Sequence, residues 1–177
     1  MKKTSLILSS LLLTNTVIAG NMVSNNKATV TLSSSCVISS NNIIFGNYDP
    51  TQGDVFSTGS IITKCTKGTT YNLGITYGLV EVDNVNKYNV GGYIDKMTLS
   101  GGSEILKYNI FQDEAHTKIF GNANTPGMNW GSWGSIVSVY KTGTGIEQTT
   151  TMYAAMSGGQ YVKPGNYSRS LSVSIYY

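Results

Sequence analysis

Gly158-Gly159-Gln160-Tyr161-Val162-Lys163-Pro164-Gly165-Asn166-Tyr167-Ser168-Arg169-Ser170-Leu171-Ser172-Val173-Ser174-Ile175-Tyr176-Tyr177 is the stretch whose reading decides the fold. A Pro164-Gly165 turn launches a run in which Leu171, Val173, Ile175 and Tyr177 fall on one face and Ser170, Ser172 and Ser174 on the other. Successive side chains of a strand point to opposite sides, so the run reads as a half-buried β-strand with its apolar face on a core. It continues to the last residue given, and no later segment is available to pair its outer edge. An edge of unpaired N–H and C=O groups is a template for a strand supplied from elsewhere.

Working back from this strand, the same period recurs along the chain. Tyr71, Leu73, Ile75 and Tyr77 alternate with polar or small residues, and Ala28, Val30 and Leu32 do so nearer the start. Ile43 to Tyr48 reads as a short apolar strand ended by Asp49-Pro50. Cys36 to Ile38, Gly59 to Lys67, Lys96 to Leu99, Ile105 to Phe111, Ile119-Phe120, Ile136 to Lys141 and Ile146 to Met156 read as further strands. Leu79 to Asp95 reads as a long loop, and Asn122 to Ser135 is rich in Gly and Asn. No window holds a helical period, and short strands punctuated by turns indicate a β-sandwich.

The 177 residues suit one domain with a substantial core. Lys2 and Lys3, the apolar run Leu6 to Leu13 and Val17-Ile18-Ala19 have the form of a secretory signal, giving 1–19 as a signal peptide. That apolar run is too short to span a bilayer, and no transmembrane segment is expected in the mature chain. Without Lys2 and Lys3 the formal charge of +3 falls to +1, and only 12% of residues are charged. No basic patch suits nucleic acid. Cys36 and Cys65 are the two cysteines, and in an exported chain they are expected to form a disulfide. Closing a loop of that length stabilises by about 3.5 kcal/mol in the chain-entropy account.

Several motifs occur in order: Cys36-Val37-Ile38-Ser39; Phe45-Gly46-Asn47-Tyr48-Asp49-Pro50; Cys65-Thr66-Lys67-Gly68; Leu106-Lys107-Tyr108-Asn109-Ile110-Phe111; and Gly159-Gln160-Tyr161-Val162 leading to Pro164-Gly165 and Tyr167. Together they resemble the spore coat protein U domain of archaic, Csu-type chaperone–usher pilins, over roughly Ala28 to Tyr177. The resemblance implies an incomplete immunoglobulin-like β-sandwich lacking its last strand, preceded by an N-terminal donor-strand extension. It places that extension at 20–34 and the sandwich at 35–177. It implies a structural subunit of an extracellular pilus, exported through the periplasm to the cell surface, polymerising by donor-strand exchange and supporting adhesion and biofilm formation. A periplasmic chaperone, an outer-membrane usher and other pilin subunits are the partners implied. On this sequence Ala28, Val30 and Leu32 become the candidate donor residues. Leu171, Val173, Ile175 and Tyr177 become the wall of the acceptor groove and the chaperone's docking edge. The competing expectations are a self-complemented secreted module binding a surface or carbohydrate, and a spore or cell coat component.

Candidates for chemistry are sparse. Asp113-Glu114-Ala115-His116 holds the one histidine beside two carboxylates, a grouping that suits a metal or an acid–base pair but equally a solvated turn. No nucleophile elbow or phosphate-binding glycine loop is present, so neither an enzyme nor a cofactor or metal is expected. Trp130 and Trp133, among Gly127, Gly131 and Gly134, form a candidate surface-contact loop, weighed against the plainer reading that they cap the end of the core.

Overall fold

The computed structural model describes residues 27–76, 94–122 and 136–177. The signal segment, Trp130 and Trp133, and most of the two expected loops lie outside the described residues. The chain divides into two units, Met1–Leu32 and Ser33–Tyr177. In the first, residues 27–32 form no strand, and Val30 and Leu32 are 94% and 80% exposed.

The second unit is all-β, with no helix among the described residues. Its strands are β1 (Cys36–Asn41), β2 (Val55–Cys65), β3 (Thr70–Thr76), β4 (Asp95–Leu99), β5 (Ile105–Phe111), β6 (Ile119–Phe120), β7 (Ile136–Val137), β8 (Val139–Thr142), β9 (Glu147–Met156), β10 (Tyr167–Ser168) and β11 (Ser172–Tyr176). One sheet runs β1-β2-β9-β5-β4-β10, with β6 on β5 and β7 parallel to β6. The other runs β11-β3-β8. An immunoglobulin sandwich orders its strands A-B-E-D in one sheet and C-F-G in the other. Here β1, β2, β9 and β5 take the A-B-E-D places, while β3 and β11 take C and F. Beyond β11, in the place of G, no strand pairs among the described residues.

Period-two alternation explains the core. Ile61 of β2, Met152 and Ala154 of β9, and Leu106 and Ile110 of β5 face Tyr71, Leu73 and Ile75 of β3, all buried. Each such side chain contributes about 1.5–3 kcal/mol through burial. The Tyr71 hydroxyl, carried into this interior, is satisfied by Thr63 Oγ1 at 2.9 Å and donates to Gln148 Oε1 at 3.2 Å. Lys141 of β8 reaches across to β9, donating to Thr149 O at 3.1 Å and Thr150 Oγ1 at 2.6 Å. Partial burial holds its ammonium below the usual lysine range.

Cys36 and Cys65 form a disulfide at the β1–β2 register pair of the same two residues. Four strand expectations need correction. Ile136 to Lys141, read as one strand, is divided between β7, on β6 in one sheet, and β8, on β3 in the other. β1 does not end in the Ser-Asn turn that Ser39 to Asn42 suggests in sequence; it runs to Asn41, because β2 begins at Val55 and offers partners through Ser60. Ile43 to Tyr48 is not a strand: Ile43, Phe45 and Tyr48 pack against the core, yet no strand among the described residues supplies a ladder. The final run is split. β10 pairs with β4 in one sheet and β11 with β3 in the other, so residues 169–171 carry the chain across the sandwich.

Candidate functional site

A groove of about 980 Å³ lies in the Ser33–Tyr177 unit. One wall is the chain from Ser40 to Tyr48, and the other is the crossover and start of β11, from Asn166 to Val173. Met97, Leu106, Tyr108, Met152 and Met156 make the floor. Each wall has backbone that no strand pairs among the described residues. Among the described residues, 42–49 belong to no ladder and β11 pairs with β3 alone. The site is therefore a trough with an apolar floor and polar rims between two backbone edges, a shape that suits an added β-strand.

The wall after β1 is held by close packing. Gly59 of β2 leaves the space into which Ile43 inserts: a Cβ there would stand 2.7 Å from Ile43 Cγ1 and 3.0 Å from Met152 Cε. The Phe45 ring meets Tyr108 edge-on, with centroids 5.5 Å apart. Ile44, between them in sequence, points outward and is exposed.

The Gly159 to Tyr167 motif builds the end of the groove. Gly158 passes directly over the carbonyl of Gln52, where a Cβ has no room, and the Gly159 N–H donates to Pro50 O at 3.0 Å. The Gln160 side chain then takes the place of a missing strand neighbour. Its Oε1 accepts the Lys107 N–H at 2.8 Å, and its Nε2 donates to Lys107 O at 2.9 Å and Ser157 O at 3.1 Å. The Tyr48 hydroxyl accepts the Gln160 N–H at 2.8 Å and donates to Ser157 O at 3.1 Å, tying this end to the opposite wall. Val162 turns into the groove, and the Tyr167 hydroxyl donates to Lys163 O at 2.6 Å, closing the Pro164-Gly165 turn.

One charged group lies under the crossover. Asp95 is fully buried, with Arg169 Nε 3.3 Å from its Oδ1 and the Tyr108 hydroxyl donating to its Oδ2 at 3.1 Å. Burial first, and the Asp95 charge second, push the Tyr108 phenol well above its ordinary range. Sequence reasoning missed both this cluster and the role of Gln160, since their partners lie far apart in the chain.

Of the residues singled out in sequence, Leu171 and Val173 line the groove, and Ile175 packs on the core opposite Leu73 without lining it. Tyr177 lies past the end of β11 and is 60% exposed. Ala28, Val30 and Leu32 belong to the other unit. His116 is a packed turn residue at φ 56°, its ring stacked on Phe56 at 5.0 Å and edge-on to Phe111 at 5.2 Å. Burial opposes ionisation of the neighbouring Asp113, but bonds from Thr117 and Lys118 outweigh it and hold that carboxyl below the usual range. Among the described residues no cluster of His, Cys, Asp and Glu has the form of a metal site.

No curated protein matches the chain. Among solved structures it is similar to a chain of the CsuC–CsuE chaperone–tip adhesion subunit pre-assembly complex from archaic chaperone–usher Csu pili of Acinetobacter baumannii. That match has 20% identity and a TM-score of 0.48, covering 83% of this chain and 40% of that one. It is also similar to HdaB, the minor tip subunit of the E. coli Hda pilus, at 21% identity and a TM-score of 0.37, covering 81% of this chain and 79% of that one. The family model of the Spore Coat Protein U domain matches residues 22–174, nearly the whole of the sequence. The chain belongs to the Spore Coat Protein U domain family.

Proposed function

We propose that this protein is a structural subunit of a chaperone–usher pilus whose groove receives a β-strand from another polypeptide. The observation that carries the reading is the trough between Ser40–Tyr48 and β11, with an apolar floor and unpaired backbone on both sides. About four apolar side chains entering it contribute about 1.5–3 kcal/mol each, and the new ladder adds to them. Family membership and the form of residues 1–19 fit export through the periplasm, where a chaperone strand is the first occupant. Assembly at an outer-membrane usher then replaces it with the extension of the next subunit. Ala28, Val30 and Leu32 are the donor face in this scheme, and the exposure of Val30 and Leu32 in the isolated chain is in keeping with it. Leu171 and Val173 form the receiving wall. The role is structural rather than catalytic, and the assembled fibre is what supports adhesion and biofilm formation.

The test is co-expression of the full chain with a candidate chaperone and usher, against a chain lacking residues 21–32. Ladders on unboiled gels that vanish on truncation, with the shortened chain retained on the chaperone, are the expected result. A stable monomer that needs no chaperone and unfolds on truncation means instead that the extension completes its own domain.

A further inference from the structure

Arg169 stands where the chain leaves β10 for the opposite sheet, and it lines the groove. Its Nε is held by the buried Asp95, whose carboxylate also accepts the Tyr108 hydroxyl and the Lys96 N–H, the latter at 2.8 Å. One edge of the guanidinium is thereby fixed. The rest is open: 30% of the side chain is exposed, and its Nη atoms have no hydrogen-bond partner among the described residues.

A guanidinium carries five N–H donors, and Asp95 engages the one on Nε. A strand laid in the groove displaces water from the others. Charged donors stripped of water and given no acceptor weaken a complex strongly, so a wholly apolar strand is a poor fit at this point. A carboxylate is a poor fit too, because Asp95 already lies against Arg169 and a second anion beside it meets the repulsion of the first. A neutral oxygen satisfies both conditions.

We propose that the strand received by this groove carries a neutral side-chain oxygen, from Ser, Thr, Asn or Gln, facing Arg169, and that Arg169 selects for it. The inference rests on the groove being a strand acceptor. The occupant it favours is the extension of a second copy of this chain, where Ser24-Asn25-Asn26-Lys27-Ala28-Thr29-Val30-Thr31 is rich in such residues.

The experiment measures binding of a labelled peptide with the sequence of residues 21–33 to the full chain by fluorescence anisotropy. A peptide series changes Ser24→Ala, Asn25→Leu, Asn26→Leu, Thr29→Val and Thr31→Val one at a time. One replacement is expected to weaken binding by about tenfold, and an Asp at that same position also to bind less well than the native residue. The same replacement should have no effect on a chain carrying Asp95→Asn with Arg169→Met, which removes the charge pair together. If that variant does not fold, Arg169→Lys keeps a cation beside Asp95 without the planar fork and should shrink the effect. Peptides that all bind equally, or a preference undiminished in the variants, overturn the role of Arg169 while the groove reading stands. Failure of every peptide to bind at any excess removes both.

Discussion

Gln160→Ala is the most informative single substitution at the end of the groove. The side chain supplies three hydrogen bonds of 2.8, 2.9 and 3.1 Å to the backbone of Lys107 and Ser157, doing for β5 what an adjacent strand would do. At a net of about 0.5–1.5 kcal/mol each, their removal costs about 2–4 kcal/mol. For a domain of this size that lowers the melting temperature by about 5–15 °C. Gln160→Glu keeps the volume and sharpens the test. One carboxylate oxygen still accepts the Lys107 N–H, but the other faces the Lys107 and Ser157 carbonyls where an amide N–H stood. The folded state therefore raises the pKa of this glutamate above the ordinary value of about 4.3. An acid with a raised folded-state pKa costs nothing below its unfolded pKa and destabilises increasingly as pH climbs toward the folded one. The Glu variant should match the native protein near pH 3.5 and fall toward the Ala variant by pH 7.5, read as urea midpoints with the disulfide intact. A Glu variant equal to native at pH 7.5, or one whose deficit does not change with pH, would refute the strand-surrogate account.

Three further outcomes follow from the same geometry. Replacing Cys36 and Cys65 together by Ser, which opens a link between residues 29 apart, should lower stability by about 3.5 kcal/mol in denaturant titrations of the oxidised and variant proteins. Gly59→Val should destabilise by about 1–3 kcal/mol, because the new side chain takes the space of Ile43; a more exposed groove wall should then show as increased binding of an apolar dye. The Tyr108 phenol stays protonated in the folded chain while an unfolded tyrosine ionises near 10.0, so stability should fall as pH rises above about 10. Tyr108→Phe should flatten that slope at a cost of about 1.5–3 kcal/mol at neutral pH, checked by denaturation at pH 7 and 11.

The sandwich was legible because alternation is a local property. Tyr71, Leu73 and Ile75 announce β3, and Val173 and Ile175 announce β11, without reference to any partner. The groove was half legible. An unpartnered last strand points to an open edge, but the same alternation ran through residues 169–171, where the chain changes sheets. Period-two patterning records which face is buried and is blind to which sheet does the burying. Ile43 to Tyr48 failed in the opposite way: Ile43 and Phe45 are inward, as alternate residues of a strand would be, yet a ladder needs a second backbone that none of the described residues provides there. The Asp95–Arg169 pair spans 74 positions, and Gln160 lies 53 from Lys107, distances across which side-chain identity carries no local signal. The motif around Gln160 stood out by resemblance, and its physical purpose emerged only when the missing neighbour of β5 could be seen.

The position of the disulfide has a mechanical consequence. Cys36 is the first residue of β1, and its bond leads to the last residue of β2, which is flanked on both sides within the sheet. Tension applied through the residues ahead of Cys36 therefore enters a covalent link before it reaches the β1 hydrogen bonds. Without that link the load would peel β1 from β2 one rung at a time, beginning at its loaded end. With it, the load passes into an interior strand that also pairs with β9 along ten residues, from Val55 to Lys64, and must shear them together. In a fibre assembled as proposed above, the joint between subunits would then give way before β1 does.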